Sequence, residues 1–203
     1  MSEDKGAGAS MKQIDTVQTK DYIARAIRQE ILSGRIKAGE ELTQEDLAET
    51  MGVSRMPIRE ALQTLAQEGF LLRLPNRHMQ VVALNKEEIA GTFSLLAAME
   101  TEILRQIVDA GKDLTILEEK LTKGIEFHFA LANLLGNVYI KQIHSKLIEG
   151  YVEYAIESIK DKEMPVSALR EIITAAKNNN ELEMSNAVKA YYKIYAKVFT
   201  VGR

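Results

Sequence analysis

The sequence predicts a mainly α protein whose first part carries a small β-hairpin and whose remainder is an antiparallel helical bundle. Three observations predict it. Apolar residues recur at helical spacing along most of the chain. The period drops to two only between Phe70 and Ala83. Glycines, Pro165 and an asparagine run punctuate the helical stretches.

A chain of 203 residues can bury one large core or two modest ones, and two domains are expected. Hydrophobic content of 46% and charged content of 27% suit a globular protein and exclude a disordered one. No apolar run approaches the ~20 residues of a spanning helix, so no membrane partner is expected. The first residues lack a signal-peptide core and the chain has no cysteine, which together point to the cytoplasm. The net charge of −3 does not exclude a nucleic-acid partner. Salt confines each charge to ~8 Å, so local placement of basic residues decides.

Residues 1–18, rich at first in Gly, Ala, Ser and charged residues, read as a flexible tail. Ile23, Ala26, Ile27, Ile31 and Leu32 then mark a helix from Asp21 to Leu32, with Thr19 or Asp21 as its cap and Gly34 beyond its end. Gly34 to Leu42 is a loop leading into a short extended piece. Thr43, with Asp46 three residues on, opens a helix whose inner face is Leu47, Ala48 and Met51, closed by Gly52. Only Gly52 and Val53 separate it from a second helix, Ser54 to about Gln67, ended by Gly69. Helices joined so tightly must cross steeply, as in a helix-turn-helix.

Phe70 to Leu74 and Met79 to Ala83 are the predicted strands, joined by the turn Pro75 to His78 into a wing. Helices are predicted at about 86–110, 114–134, 138–162, 166–178 and 182–199, broken by Gly111, Gly136-Asn137, Pro165 and Asn178 to Asn180. The expected division is a tail at 1–18, a winged helix-turn-helix at 19–83 and an all-helical domain at 84–203.

On the second helix of the motif, Ile58, Ala61, Leu62 and Leu65 form an inward stripe while Arg55 and Arg59 share the opposite face. Arginines in the first turns of a helix lying in the major groove can pair bidentately with guanine, so double-stranded DNA is the expected partner. Read alone, the two arginines are equally well ordinary solvated charges. Their conjunction with the turn, the cap and the wing points to DNA. Ser54 is expected to cap the helix close to a phosphate, and Pro57 to stiffen its first turn. With Thr43, Met56, the preceding Arg35 and the wing-tip residues Arg77 and His78, these make up the expected DNA-contacting set.

Residues 52–71, GVSRMPIREALQTLAQEGFL, together with the GRIKAGEELTQEDLAETM run before them, resemble the winged helix-turn-helix of the GntR family of bacterial transcription regulators. The likeness extends over about Tyr22 to Val82. This chain departs from the family pattern at Ala38, where proline is common, at Met56, where threonine is common, and at His78, where the wing tip commonly has glycine.

The helical remainder resembles the effector-binding and dimerization bundle of the FadR-like branch, most clearly at EFHFALANLLGN, residues 126–137. The resemblance implies a homodimeric regulator, usually a repressor, on a palindromic operator, with an effector in the bundle. In that branch this segment helps to hold a divalent metal. Here His128 matches, but Gly124 stands where an aspartate is expected, and Arg170 and Tyr191 or Tyr192 fall near the positions of later histidines. His128 and His144 are the imidazoles of the bundle, and without a carboxylate they make a poor metal site, so no metal or other cofactor is expected.

His128, Arg170, Tyr191 and Tyr192 then become the candidate groups for an organic acid or an acyl compound. Alternatively, His128 is a core histidine satisfied by one neighbour, and the bundle only dimerizes. Tyr151, Tyr154, Tyr191, Tyr192 and Tyr195 recur at helical intervals and read more readily as packing or dimer-interface residues than as a ligand cage. A helical metalloenzyme would need paired carboxylates or a nucleophile with its base, and the sequence displays neither at the required spacing, so no enzymatic activity is expected.

Overall fold

The computed structural model describes residues 16–83 and 85–199, and it has the predicted class: helices throughout, with one small antiparallel sheet. α1 (Thr16–Leu32) begins before the predicted cap, since no glycine or proline between Thr16 and Asp21 opposes backward extension. Residues 16–18 of the expected tail therefore belong to a helix, and the rest of that tail lies outside the described residues.

α2 (Gln44–Met51) is opened as predicted: the Thr43 hydroxyl accepts the Asp46 N–H at 3.1 Å and donates to the Asp46 carboxylate at 2.7 Å. Gly52 ends the helix at φ 65°, a left-handed conformation that glycine adopts without penalty, and α3 (Arg55–Gln67) follows at once. β1 (Glu41–Leu42), β2 (Leu71–Arg73) and β3 (Met79–Val81) form a sheet in the order β1-β3-β2, with Leu42 opposite Met79 and Leu71 opposite Val81. The wing strands are shorter than predicted, and β1 pairs with the wing and covers one edge of it.

α4 (Lys86–Asp109) starts with a full capping box between Asn85 and Glu88. The single helix expected at 114–134 is two, α5 (Thr115–Glu118) and α6 (Ile125–Leu135), because Gly124 takes φ 57°, ψ −117° and no helix passes through that geometry. α7 (Val138–Leu147) runs through a π-turn, Ile148–Val152, into α8 (Glu153–Ser158), short of the predicted end. In α9 (Glu163–Lys177) Pro165 lies within the first turn, where its missing N–H is harmless, so it does not precede the helix. α10 (Glu181–Ala196) continues into a 3₁₀ turn, Lys197–Phe199. α10 packs against both α4 and α9, and Leu96, Ile107, Leu131 and Val188 between the helices are fully buried. Among the described residues, no helix is long and apolar enough to cross a membrane.

The two halves share one continuous apolar cluster. The polar ties between them include Arg25 with Glu153, Gln29 with Glu157 and, as the buried one, Arg28 of α1. Its Nη2 donates to Glu68 at the end of α3 at 2.6 Å, and its Nη1 donates to the Glu149 carbonyl in the π-turn at 3.3 Å. Phe70 stacks on Tyr151 with centroids 5.3 Å apart. Gly150 lies beside the same ring: a Cβ there would meet Phe70 at 3.4 Å, an ordinary van der Waals contact.

Candidate nucleic-acid interface and bundle centre

α3 divides as its sequence predicts. Ile58, Ala61, Leu62 and Leu65 are wholly buried, and Arg55, Met56 and Arg59 are exposed. The outward face is not a bare cluster of cations. Arg55 Nη2 is paired with the Glu45 carboxylate of α2, and Arg59 Nη2 donates to the Met56 sulfur at 3.2 Å.

Ser54 occupies the cap position with extended backbone, φ −71°, ψ 161°, but its hydroxyl makes no cap hydrogen bond, contrary to expectation. Pro57 can supply no N–H in that first turn, but the remaining amides point outward as an anion-attracting end.

Exposed Arg77 stands at the tip of the wing. It takes the left-handed conformation of the turn, φ 71°, and His78 does not. The angle that favours glycine at the wing tip is therefore carried by Arg77, one residue before the position where glycine is common. His78 is tied inward: its backbone N–H donates to Asn76 Oδ1 at 3.0 Å, and its Nδ1 lies 2.9 Å from Glu41 of β1. The contact with His78, more than that with Asn76, holds the Glu41 carboxyl below its ordinary pKa. Arg35 turns back onto α1, with Nε and Nη2 donating to Glu30 at 2.5 and 2.6 Å. Thr43 is engaged in its cap. Of the expected contacts, Arg35, Ser54, Arg55, Met56, Arg59 and Arg77 are exposed, with Arg35 and Arg55 each paired to a carboxylate, while Thr43, Pro57 and His78 are partly buried.

The bundle centre holds a residue that the sequence reading missed. Glu100 of α4, 1% exposed, lies with Oε1 2.7 Å from His128 Nδ1 on α6 and 2.8 Å from His144 Nε2 on α7. His128 Nε2 is 2.7 Å from the Tyr191 hydroxyl of α10, which is 3.2 Å from that of Tyr195. Burial alone would push the Glu100 carboxyl up. The two imidazoles, His128 foremost, more than offset this and hold it at about 2. Burial also drives Tyr191 and Tyr192 well above their ordinary pKa, and among the described residues the Tyr192 hydroxyl and His144 Nδ1 meet no hydrogen-bonding partner in good geometry.

A sequence signal for Glu100 exists. It continues the buried stripe Phe93, Leu96, Ala97, Ile103, Leu104 and Ile107, at a spacing that points it into the core.

These residues do not fit a divalent metal. Both His128 nitrogens are already engaged, the Glu100 oxygen is shared by two imidazoles, and among the described residues no three His, Cys, Asp or Glu side chains are disposed to hold an ion. The structure also separates the candidate effector groups. Tyr191 and Tyr192 are buried with His128, but Arg170 is exposed on α9, on a surface groove with Ser167, Thr174, Glu183 and Asn186. Its place near the later histidines in sequence does not bring it to His128, because it lies on the outer face of α9.

Residues 19–81 match the family model described as "Bacterial regulatory proteins, gntR family". The chain is 34% identical over 113 residues to the gluconate operon transcriptional repressor of Bacillus licheniformis, covering 56% of this chain and 46% of that protein. It is 27% identical over 154 residues to the gluconate operon transcriptional repressor of Bacillus subtilis (strain 168), covering 67% and 63%. The chain thus spans about half to two thirds of the length of these curated relatives, both of which are transcriptional repressors.

Among solved structures, E. coli McbR/YncC superposes with a TM-score of 0.63 at 18% identity, covering 91% of this chain and 96% of that one. A putative transcriptional regulator GntR from Rhodococcus sp. RHA1 superposes at 0.62 and 21% identity, covering 92% and 100%. The fold is shared along nearly the whole chain.

Proposed function

Residues 19–81 form a helix-turn-helix domain of the GntR family, and from that premise we propose that the chain is a cytoplasmic transcription repressor binding a palindromic operator as a homodimer. The observation that carries this reading is the two-sided α3: a wholly buried apolar stripe opposite exposed Arg55, Met56 and Arg59, with the wing and Arg77 beside it. In this proposal residues 19–83 read DNA and residues 84–203 hold the dimer together. α3 enters the major groove, Arg55 and Arg59 meet base edges, and the Ser54 end and Arg77 meet the backbone. Selection from a library of duplexes randomised over a central stretch tests it. Enrichment of a two-fold symmetric motif by a species of dimer mass is the expected result, and binding without any sequence preference is the result that sinks it.

A second reading of the bundle, dimerization without an effector, is favoured by the Glu100, His128, His144 and Tyr191 network that fills its centre. A small organic acid or an acyl compound would have to displace that network. A thermal-shift panel of organic acids and acyl compounds separates the readings: a stabilising compound that also changes DNA affinity supports an effector.

A further inference from the structure

Resting on the DNA-reading role of α3, we propose that Glu45 is a specificity-determining residue of the interface, a carboxylate that positions Arg55 for a base edge and keeps it from binding phosphate indiscriminately. The starting point is an electrostatic oddity. Glu45 is an acidic residue on the face that must approach a polyanion, and its side chain is 69% exposed, with Arg55 at 66%. An exposed ion pair adds little to folding, because water and salt screen it. Stability is therefore a poor reason for its position.

The geometry supplies a better one. Glu45 projects from the first turn of α2, where a carboxylate is favoured by the helix dipole, and bridges the tight turn to the first residue of α3. The contact uses one terminal nitrogen of Arg55. Arginine has five N–H groups in a rigid fork, so donors remain for the two acceptors of guanine. Fixing this long side chain in advance removes part of its ordering cost on binding. It also leaves the guanidinium partly neutralised toward any phosphate that lacks a base partner behind it.

Arg59 differs. Its described contact is the neutral Met56 sulfur, so it keeps its full charge at the same surface. The pair thus divides labour between a restrained reader and an unrestrained cation.

The test uses the full chain and one duplex library randomised over a central stretch, with wild type, Arg55→Ala, Glu45→Ala and Glu45→Gln selected in parallel. Arg55→Ala identifies the base pair that Arg55 reads. Glu45→Ala is expected to relax preference at that same pair roughly threefold to tenfold, the range set by freeing one restrained side chain. Glu45→Gln keeps an acceptor for Arg55 and is expected to retain the motif. Both variants are expected to bind a random duplex more tightly and to steepen the dependence of log K on log salt by up to about one.

Glu45→Ala enriching the wild-type motif at full strength, or losing preference equally at all pairs, overturns the proposal. A wild-type chain that enriches no motif is a different result: it overturns the DNA-reading role itself, and this inference with it.

Discussion

Two carboxylates in this molecule do similar chemistry in opposite surroundings. Glu45 pairs with Arg55 in open solvent; Glu100 holds His128 and His144 where water does not reach. In water the two ions of a pair are already well solvated, and joining them changes little. In the core a lone carboxylate would be strongly disfavoured, so the imidazoles become a condition of folding. The comparison teaches that the ion pairs of this chain serve different ends by depth. The buried network ties together α4, α6, α7 and α10, and the surface pair is free to serve recognition.

The sharpest way to break this comparison is Glu100→Ala. Removing one member of a buried ionic cluster typically costs about 3–5 kcal/mol, because the partners remain buried and unsatisfied. Urea unfolding should register a loss of that order; a loss no greater than that of a surface substitution would mean that the network is not a structural requirement.

Acid gives the next effect. The folded carboxyl of Glu100 titrates at about 2, below its ordinary 4.5. A depressed folded pKa contributes stability that is complete above about pH 4.5 and is lost as pH falls toward 2, with a full span of about 3 kcal/mol. Stability measured across that window should fall in wild type and fall less in Glu100→Gln, whose amide does not titrate.

What the sequence made legible follows the same division. The helix-turn-helix was readable because its determinants are local: Thr43 with Asp46, Gly52, and the Ile58 to Leu65 stripe all act within a few residues of themselves. Arg55 and Arg59 were found on its outer face for the same reason. Glu100 was missed because its meaning is set by His128 and His144 on two other helices. Arg28 was passed over likewise, although it sits between buried Ile27 and Ile31. The pairing of Arg35 with Glu30 and of His78 with Glu41 depends on rotamers and on sheet register, neither of which composition records. Gly150 within the π-turn at Ile148–Val152 and Gly124 within the other overlong predicted helix were both available as breaks, and the apolar periodicity on either side carried the predicted helices through them.

On the surface side the comparison is sharpened by binding and not by folding. If Arg55 reads a guanine, Arg55→Ala should lower discrimination at one base pair of the selected motif by ~1–3 kcal/mol in a titration at fixed salt. Equal affinity for the matched and substituted duplexes before and after the mutation would remove Arg55 from the recognition set.

The smallest expected effect is also the most diagnostic. Arg55→Ala and Glu45→Ala should each shift folding stability by no more than about 1 kcal/mol, because a pair this exposed contributes little beyond what water already supplies. Raising salt to about 1 M shortens the screening length to ~3 Å and should erase even that difference. The loss from Glu100→Ala should survive the same salt, since ions do not screen a cluster that solvent cannot enter. If both losses faded together in salt, depth would not be what separates the two carboxylates. If only the surface difference fades, folding and reading are carried by different charges, and Glu45 can vary with the operator without endangering the bundle.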